Sequence, residues 1–506
     1  MTESLMKKII GFISFLLCIC ILLVAFASCG SSTDPSNEAS GDPQKQDTES
    51  LTESATETEA RLQPLVPDVK YDRDFNFLHW DVGNAGVGGG WVVWEEIFAD
   101  KMVGDTLNDA IYNRNTYINE KYGVNITNTY RDIGAVNETV KLMHTSGSQD
   151  YDAILQRSVQ VGGILTGGFL HNLQDMTYMN LSSPWWNQDS ISSLAMGKLN
   201  QFIASDITVL DKSATACVQF NAKVADEHKA AVGDLYEQVD NGEWTFERFV
   251  EICDEVGADL DNDGKRNGEG DLVAFYCGDD PIHFLYNAAG LRFMDHDSDG
   301  YFEYKFNSQV SFDTLETIFT DLMYADFFHN NVVDGSYGVD KFRNNEQLFR
   351  MGFVKNASQL RDMESDYGIL PIPMFNNDQD EFYSEVSPHH DSIMFICNSI
   401  VDTSFVSAVL ESLACESYYT VSPVFYDVII TGRSVRDEQS KRMLELIFST
   451  RVYDAGLIFD MNSFGGVVLR HTKTHTTGFA SLWEKNQSAV EAKLDEFNEM
   501  IEKMNS

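Results

Sequence analysis

The stretch DLDNDGKRNGEGD, Asp259 to Asp271, sets carboxylates at alternate positions, Asp259, Asp261 and Asp263, with Gly264 directly after the third. Alternating oxygen ligands and a glycine at the sharp turn are what calcium asks of a short loop. The ladder continues through the Lys265 carbonyl to Asn267. The twelfth position, where a calcium sensor needs a bidentate Glu, is Gly270, between Glu269 and Asp271. A sensor also needs a helix on each side, and DLVAFYCG after the loop reads as a strand. The sensor reading fails on both counts. What remains is a structural calcium clip closed by Asp271 or Glu269, beside the alternative of a hydrated Asx-type turn that binds nothing. Clustered carboxylates repel unless a cation or basic group neutralises them. A second segment, DHDSDGYFE, repeats the spacing at Asp295, Asp297 and Asp299. It leads into the alternating YFEYKF and reads as an acidic hairpin turn, with a second metal loop as the alternative.

Other groups could hold a solute. After FNFLHW, the residues Trp80, Asp81 and Asn84 offer an aromatic face beside carboxylate and amide groups, the two surfaces a sugar needs. The alternative is a flexible turn with Trp80 buried. The glycines that follow do not make a dinucleotide fingerprint, because Trp91 stands where the third glycine would fall. Trp185 and Trp186 in PWW are either stacking platforms or core residues. Phe353 and Asn356, after EQLFRMG, are further candidates, whereas Arg433 and Arg436 lie amid carboxylates and read as ion-pair partners. His389 and His390 are adjacent, so they diverge on a strand or a helix; a hydrogen-bonded turn fits them better than one metal. No GxSxG elbow, HExxH helix or P-loop occurs, and no catalysis is expected, although spacing alone does not exclude a paired-carboxylate glycosidase.

These groups need a scaffold. FNFLHW, YDAIL, YGILPIP and SIMFI read as strands. The segment from Asp105 puts Leu107, Ile111, Ile118 and Tyr122 on one helical face, and Gly123 follows as a C-cap. Thr245 is placed to cap a helix whose apolar residues are Phe246, Phe249, Val250 and Cys253. A long C-terminal helix carries Val490, Leu494, Phe497, Ile501 and Met504 on one stripe. Alternating strands and helices over this length predict an α/β chain with two doubly wound lobes.

The ends and the composition restrict the setting. Residues 1–29 pair a basic start, Lys7 and Lys8, with the apolar IIGFISFLLCICILLVAFA, and FASCG resembles a bacterial lipobox with Cys29 as the acylated residue. Residues 30–70 are Ser-, Thr- and acid-rich without an aromatic until Tyr71, which predicts a disordered tether with a reach of about 35 Å. The net charge of −42 argues against nucleic acid as a partner. Cys217, Cys253, Cys277, Cys397 and Cys415, an odd number without CxxC spacing, predict buried free thiols.

Several phrases, in one order from about residue 71 to the C-terminus, resemble the bacterial extracellular solute-binding proteins of ABC importers, family 1, the sugar-binding type. They are GDTLNDAIYNRNTYINEKYGVNI, SSPWWNQDS, NGEWTFERFVEICDEVGADLDNDG, ESDYGILPIP, TGRSVRDEQSKRMLELIF and FASLWEKN. The resemblance implies a two-lobed, periplasmic-binding-protein type II-like fold with a hinge of several crossovers. These are expected near Asp206, Ser384–Asp391 and Ser417–Ser422. Lobe one would then hold 71–206 plus 388–420, and lobe two 207–387 plus 421–506. It also implies solute contacts at Gln156 and Arg157, after YDAIL, and a cleft carboxylate at Asp206. The function implied is capture of a sugar or oligosaccharide by hinge closure and its delivery to ABC permease subunits. The receptor would be a monomer, lipid-anchored at the extracellular face of the membrane, and would require no cofactor, with a structural calcium left open by the Asp259–Asp271 loop. A non-sugar solute such as a peptide, or a surface glycoside-degrading activity, are the alternatives.

Overall fold

The computed structural model describes residues 61–82, 97–165, 167–266, 270–277, 281–330, 338–430, 438–460, 463–468 and 477–506. The leader, Cys29, most of the expected tether, Asn84, Asn267, Glu269, Arg433 and Arg436 lie outside them. The chain divides after Arg61, and the second unit, 62–506, is compact and carries both of the sheets below.

The first sheet is built from β1 (Arg73–Trp80), β2 (Val124–Arg131), β3 (Ala153–Arg157) and β12 (Ser392–Phe395), in the order β12-β3-β1-β2. β1 runs parallel to β2 and β3, and β12 is antiparallel to β3, pairing Ser392 with Arg157. Consecutive residues Phe77, Leu78, His79 and Trp80 are all buried, as expected of a parallel sheet covered on both faces. Helix α1 (Thr106–Tyr122) begins where Asp105 accepts a hydrogen bond from the Asn108 amide. It ends at Gly123, whose φ of 61° allows its N–H to reach the Asn119 carbonyl. Helix α2 (Ile133–Ser146) packs on β1 and β3.

The second sheet has the order β10-β4-β9-β5-β8: β4 (Ala216–Asn221), β5 (Val273–Cys277), β8 (Phe328–Asn330), β9 (Gln347–Phe353) and β10 (Tyr367–Leu370). β5 is parallel to β8 and β9, while β4 is antiparallel to β9 and β10. Helix α3 (Phe246–Val256) covers β5 and is capped at Thr245, which accepts from the Arg248 amide. Trp244, Phe249, Phe275 and Phe349 form one aromatic cluster there. Val250, read as part of the buried face, is half-buried; Ile252 and Val256 take its place in the core. β6 (Met294–His296) and β7 (Phe302–Tyr304) form an antiparallel hairpin, with Asp297 accepting from the Asp299 and Tyr301 amides.

Three passages link the sheets: between β3 and β4, between β10 and β12, and after the helix α4 (Thr403–Thr420), which leads into α5 (Ser422–Ile430). A short parallel pair, β11 (Ser384–Glu385) with β13 (Arg451–Val452), ties the second passage to the C-terminal part of the chain. The last helix, α6 (Phe479–Asn505), buries Val490, Leu494, Phe497 and Ile501. In the last part of the expected tether, Leu62 is bonded to α4 and Lys70 donates to the Glu120 carbonyl of α1. The Leu62 amide donates to the Tyr419 hydroxyl, and the Leu62 carbonyl accepts from Cys415 Sγ. All five cysteines of the second unit are buried.

Candidate functional site

β1 ends at Trp80, β3 at Arg157 and β9 at Phe353, and the passage Ser387–Asp391 runs among these ends. Carboxyl ends of strands are where open α/β sheets receive ligands. The passage is pinned to the end of β3: the Val159 amide donates to the Pro388 carbonyl (3.0 Å), and Ser158 Oγ donates to Asp391 Oδ2 (2.9 Å). Arg157 Nε donates to the His389 carbonyl (2.7 Å), its Nη2 lies 3.2 Å from His389 Nδ1, and its guanidinium is 6.0 Å from the Trp80 ring. From the second sheet, Phe353 meets the His390 ring edge-on at 4.9 Å, and Lys355 Nζ sits 6.0 Å from the Phe353 ring. Trp80, Arg157, His389, His390, Phe353 and Lys355 thus form one run from the first sheet to the second. Trp80 and Phe353 are each 3% exposed, so their rings are covered in this conformation.

Burial dominates the titration of this region. It lowers His79 to about 3, with Asp81 pulling weakly the other way, and lowers His389 to about 4 with help from Arg157. His390 is held well below its ordinary value by burial, then by Lys355, His389 and Arg157. These imidazoles are neutral at pH 7 and act as hydrogen-bonding groups rather than charges. Ser392 Oγ accepts from Trp80 Nε1 (2.6 Å) and lies 3.2 Å from His79 Nε2. Asp391 is pushed well above the carboxylate range by burial and by Asp211, against the bonds from Ser158 and the Ser392 amide.

The other expected site residues are placed differently. Gln156 is fully buried and spends its amide on the Ile133 carbonyl, Asn137 and the Arg157 amide, which positions Arg157 rather than a solute. Asp206 is a buried ion-pair partner. Lys212 Nζ approaches it at 2.8 Å, Ser422 Oγ donates to it, and the neighbouring Asp211 binds both Lys212 and Arg451. Burial works against the Lys212 charge, but Asp206 and Asp211 outweigh it and hold its pKa up. Trp185 and Trp186 lie in the core, because both indoles donate to the buried Glu411 carboxylate, at 3.2 and 2.8 Å. Asp81 is half-buried at the end of β1. Nothing in local spacing joins His389 to Arg157 or Glu411 to the two tryptophans, because each pair lies more than two hundred positions apart in the chain.

In the acidic loop, oxygens of Asp259, Asp261 and Asp263 lie within 4.8 Å of one another, the one such cluster of acidic or metal-ligating side chains among the described residues. Asp259 accepts from the Asn262, Asp263 and Gly264 amides, and Asp271 accepts from Leu260 at 3.0 Å across the loop's base. Asp295, Asp297 and Asp299 sit in the hairpin turn without gathering in that way. An open groove of about 610 Å³ lies elsewhere, along α1, α4 and α5, and none of the expected site residues lines it.

No protein-family model and no curated protein matches the chain. Among solved structures, an ABC substrate-binding protein from Listeria monocytogenes in complex with cycloalternan is similar over 85% of this chain and 99% of its own, at 9% identity and a TM-score of 0.51. A cyclo/maltodextrin-binding protein complexed with maltotetraose is similar over 85% and 97%, at 12% identity and a TM-score of 0.51. UspC of M. tuberculosis is similar over 83% and 100%, at 12% identity and a TM-score of 0.52. At such identities the likeness is one of fold: the chain shares the two-lobed α/β architecture of these structures.

Proposed function

We propose that the chain is the receptor of an ABC importer that captures a carbohydrate, an oligosaccharide in particular, by closing two lobes over it. The observation that carries this reading is the run from Trp80 to Lys355. Strand ends of both sheets bring aromatic rings and hydrogen-bonding groups to one place, on a fold shared with proteins solved with cycloalternan and maltotetraose. A solute touching both lobes only when they are shut biases the open–closed equilibrium towards the closed form. The solute is bound and released unchanged.

In this reading the lobes are 71–206 plus 388–420 and 207–387 plus 421–506, the receptor is a monomer, and permease subunits receive the sugar. Acylation of Cys29 would hold it at the extracellular face of the membrane, and a calcium ion in the Asp259–Asp271 loop would stiffen the second lobe. The test is thermal unfolding of the full chain, in detergent, across a panel of oligosaccharides. A binder present at a hundredfold excess over its Kd adds about 2.7 kcal/mol of stability. Silence across the panel, with a shift on adding peptides, would replace the sugar by a peptide solute.

A further inference from the structure

The ion pairs around Asp206 lie where the chain passes between its sheets, and they join all three passages. Lys212, in the first passage, meets Asp206 at 2.8 Å and Asp211 at 3.5 Å. Ser422, which opens α5 and so belongs to the third, donates to Asp206. Arg451 binds Asp211 and stands in β13, whose partner β11 belongs to the second passage. Backbone bonds follow the same lines. The Ser387 amide donates to the Ala214 carbonyl (3.1 Å), and the Val386 amide to the Val452 carbonyl (2.9 Å).

Asp206, Asp211 and Lys212 are all buried. Burial opposes the Arg451 charge as well, but Asp211 leads the groups that outweigh it. A buried ion pair is a poor way to gain stability, since apolar groups of the same volume often do as well, whereas removing one partner alone is costly. What these pairs do that apolar groups would not is fix each passage to one particular neighbour. Halves joined by a few passages move and unfold on their own unless a substantial contact couples them.

We propose that this buried cluster is the joint that makes the two lobes one cooperative unit. Lys212 ties the first passage to the third through Asp206, and Arg451 ties it to the second through Asp211. The proposal stands on the fold and is independent of the solute.

The experiment follows hydrogen exchange of the full chain, in detergent, by mass spectrometry at increasing urea. Peptides from β1 and β3 report the first sheet, and peptides from β4 and β9 the second. In the parent chain both sets are expected to lose protection at one urea concentration. Lys212→Met should separate the two midpoints by about 1 M. Lys212→Met combined with Asp206→Asn should regain part of the stability, because no carboxylate of that pair is left uncompensated, yet keep the midpoints apart. The double variant also serves as the test if the single one does not fold. Midpoints that stay together in the double variant would overturn the proposal. The coupling would then pass to the bonds that His296 and Asn505 make with Ala195, Met196 and Lys198. Midpoints already apart in the parent chain would overturn it too.

Discussion

At the scale of single residues, burial decides what each titratable group does. His79 is fully buried, with Nε2 near Ser392 Oγ and Nδ1 without a hydrogen-bond partner. Its folded pKa of about 3 lies below the unfolded value of about 6.5. Between those values the unfolded chain takes up the proton and the folded chain does not. The stability that His79 contributes is therefore complete above about pH 6.5 and is lost as the pH falls. His283, His389 and His390 act in the same direction, whereas the raised pKa values of Asp391 and Glu411 act in the opposite one. The net slope mixes these effects, so a difference between chains isolates one. His79→Gln should lose about 2 kcal/mol less than the parent on going from pH 6.5 to about pH 5, read by urea unfolding at each pH. Equal losses in the two chains would show that His79 does not titrate in this way.

At the scale of elements, the acidic loop shows why its twelfth position is not Glu. A Cβ at Gly270 would lie 2.8 Å from Asp261 Cβ, so a side chain there would collide with one of the loop's own carboxylates. Asp271 is buried and already fastens the base of the loop. Calcium is expected to raise the melting temperature of the full chain. Asp261→Asn should abolish that rise, and a chelator should leave oligosaccharide affinity unchanged. A melting temperature indifferent to calcium would leave an Asx turn. The strands FNFLHW, YDAIL, YGILPIP and SIMFI were legible because apolar runs and their bounding turns are local signals. So were the caps at Gly123 and Thr245. The destination of Trp185 and Trp186 was not, because it depends on Glu411, more than two hundred positions away. Nor was the hydrogen bond that Asp206 accepts from Ser422, which lies equally far along the chain.

At the scale of the whole molecule, the proposed acylation of Cys29 would make the chain after it the limit on how far the receptor stands from the membrane. Within the expected tether, Leu62 is already hydrogen-bonded to Tyr419 and Cys415 of α4. Cys29→Ala is expected to abolish palmitate labelling in a bacterial host and to shift the chain from membranes to medium. Labelling that survives the substitution would remove the lipid anchor from the reading. The edge strand β12 also has a consequence for the order of folding. It completes a sheet whose other strands lie before residue 158, so the whole second sheet is synthesised before the first is finished. Until residue 395 has been made, the outer side of β3 has no neighbour to pair with. A chain cut short in its second half would therefore damage the half that precedes the cut, leaving an unpaired strand edge open to other chains.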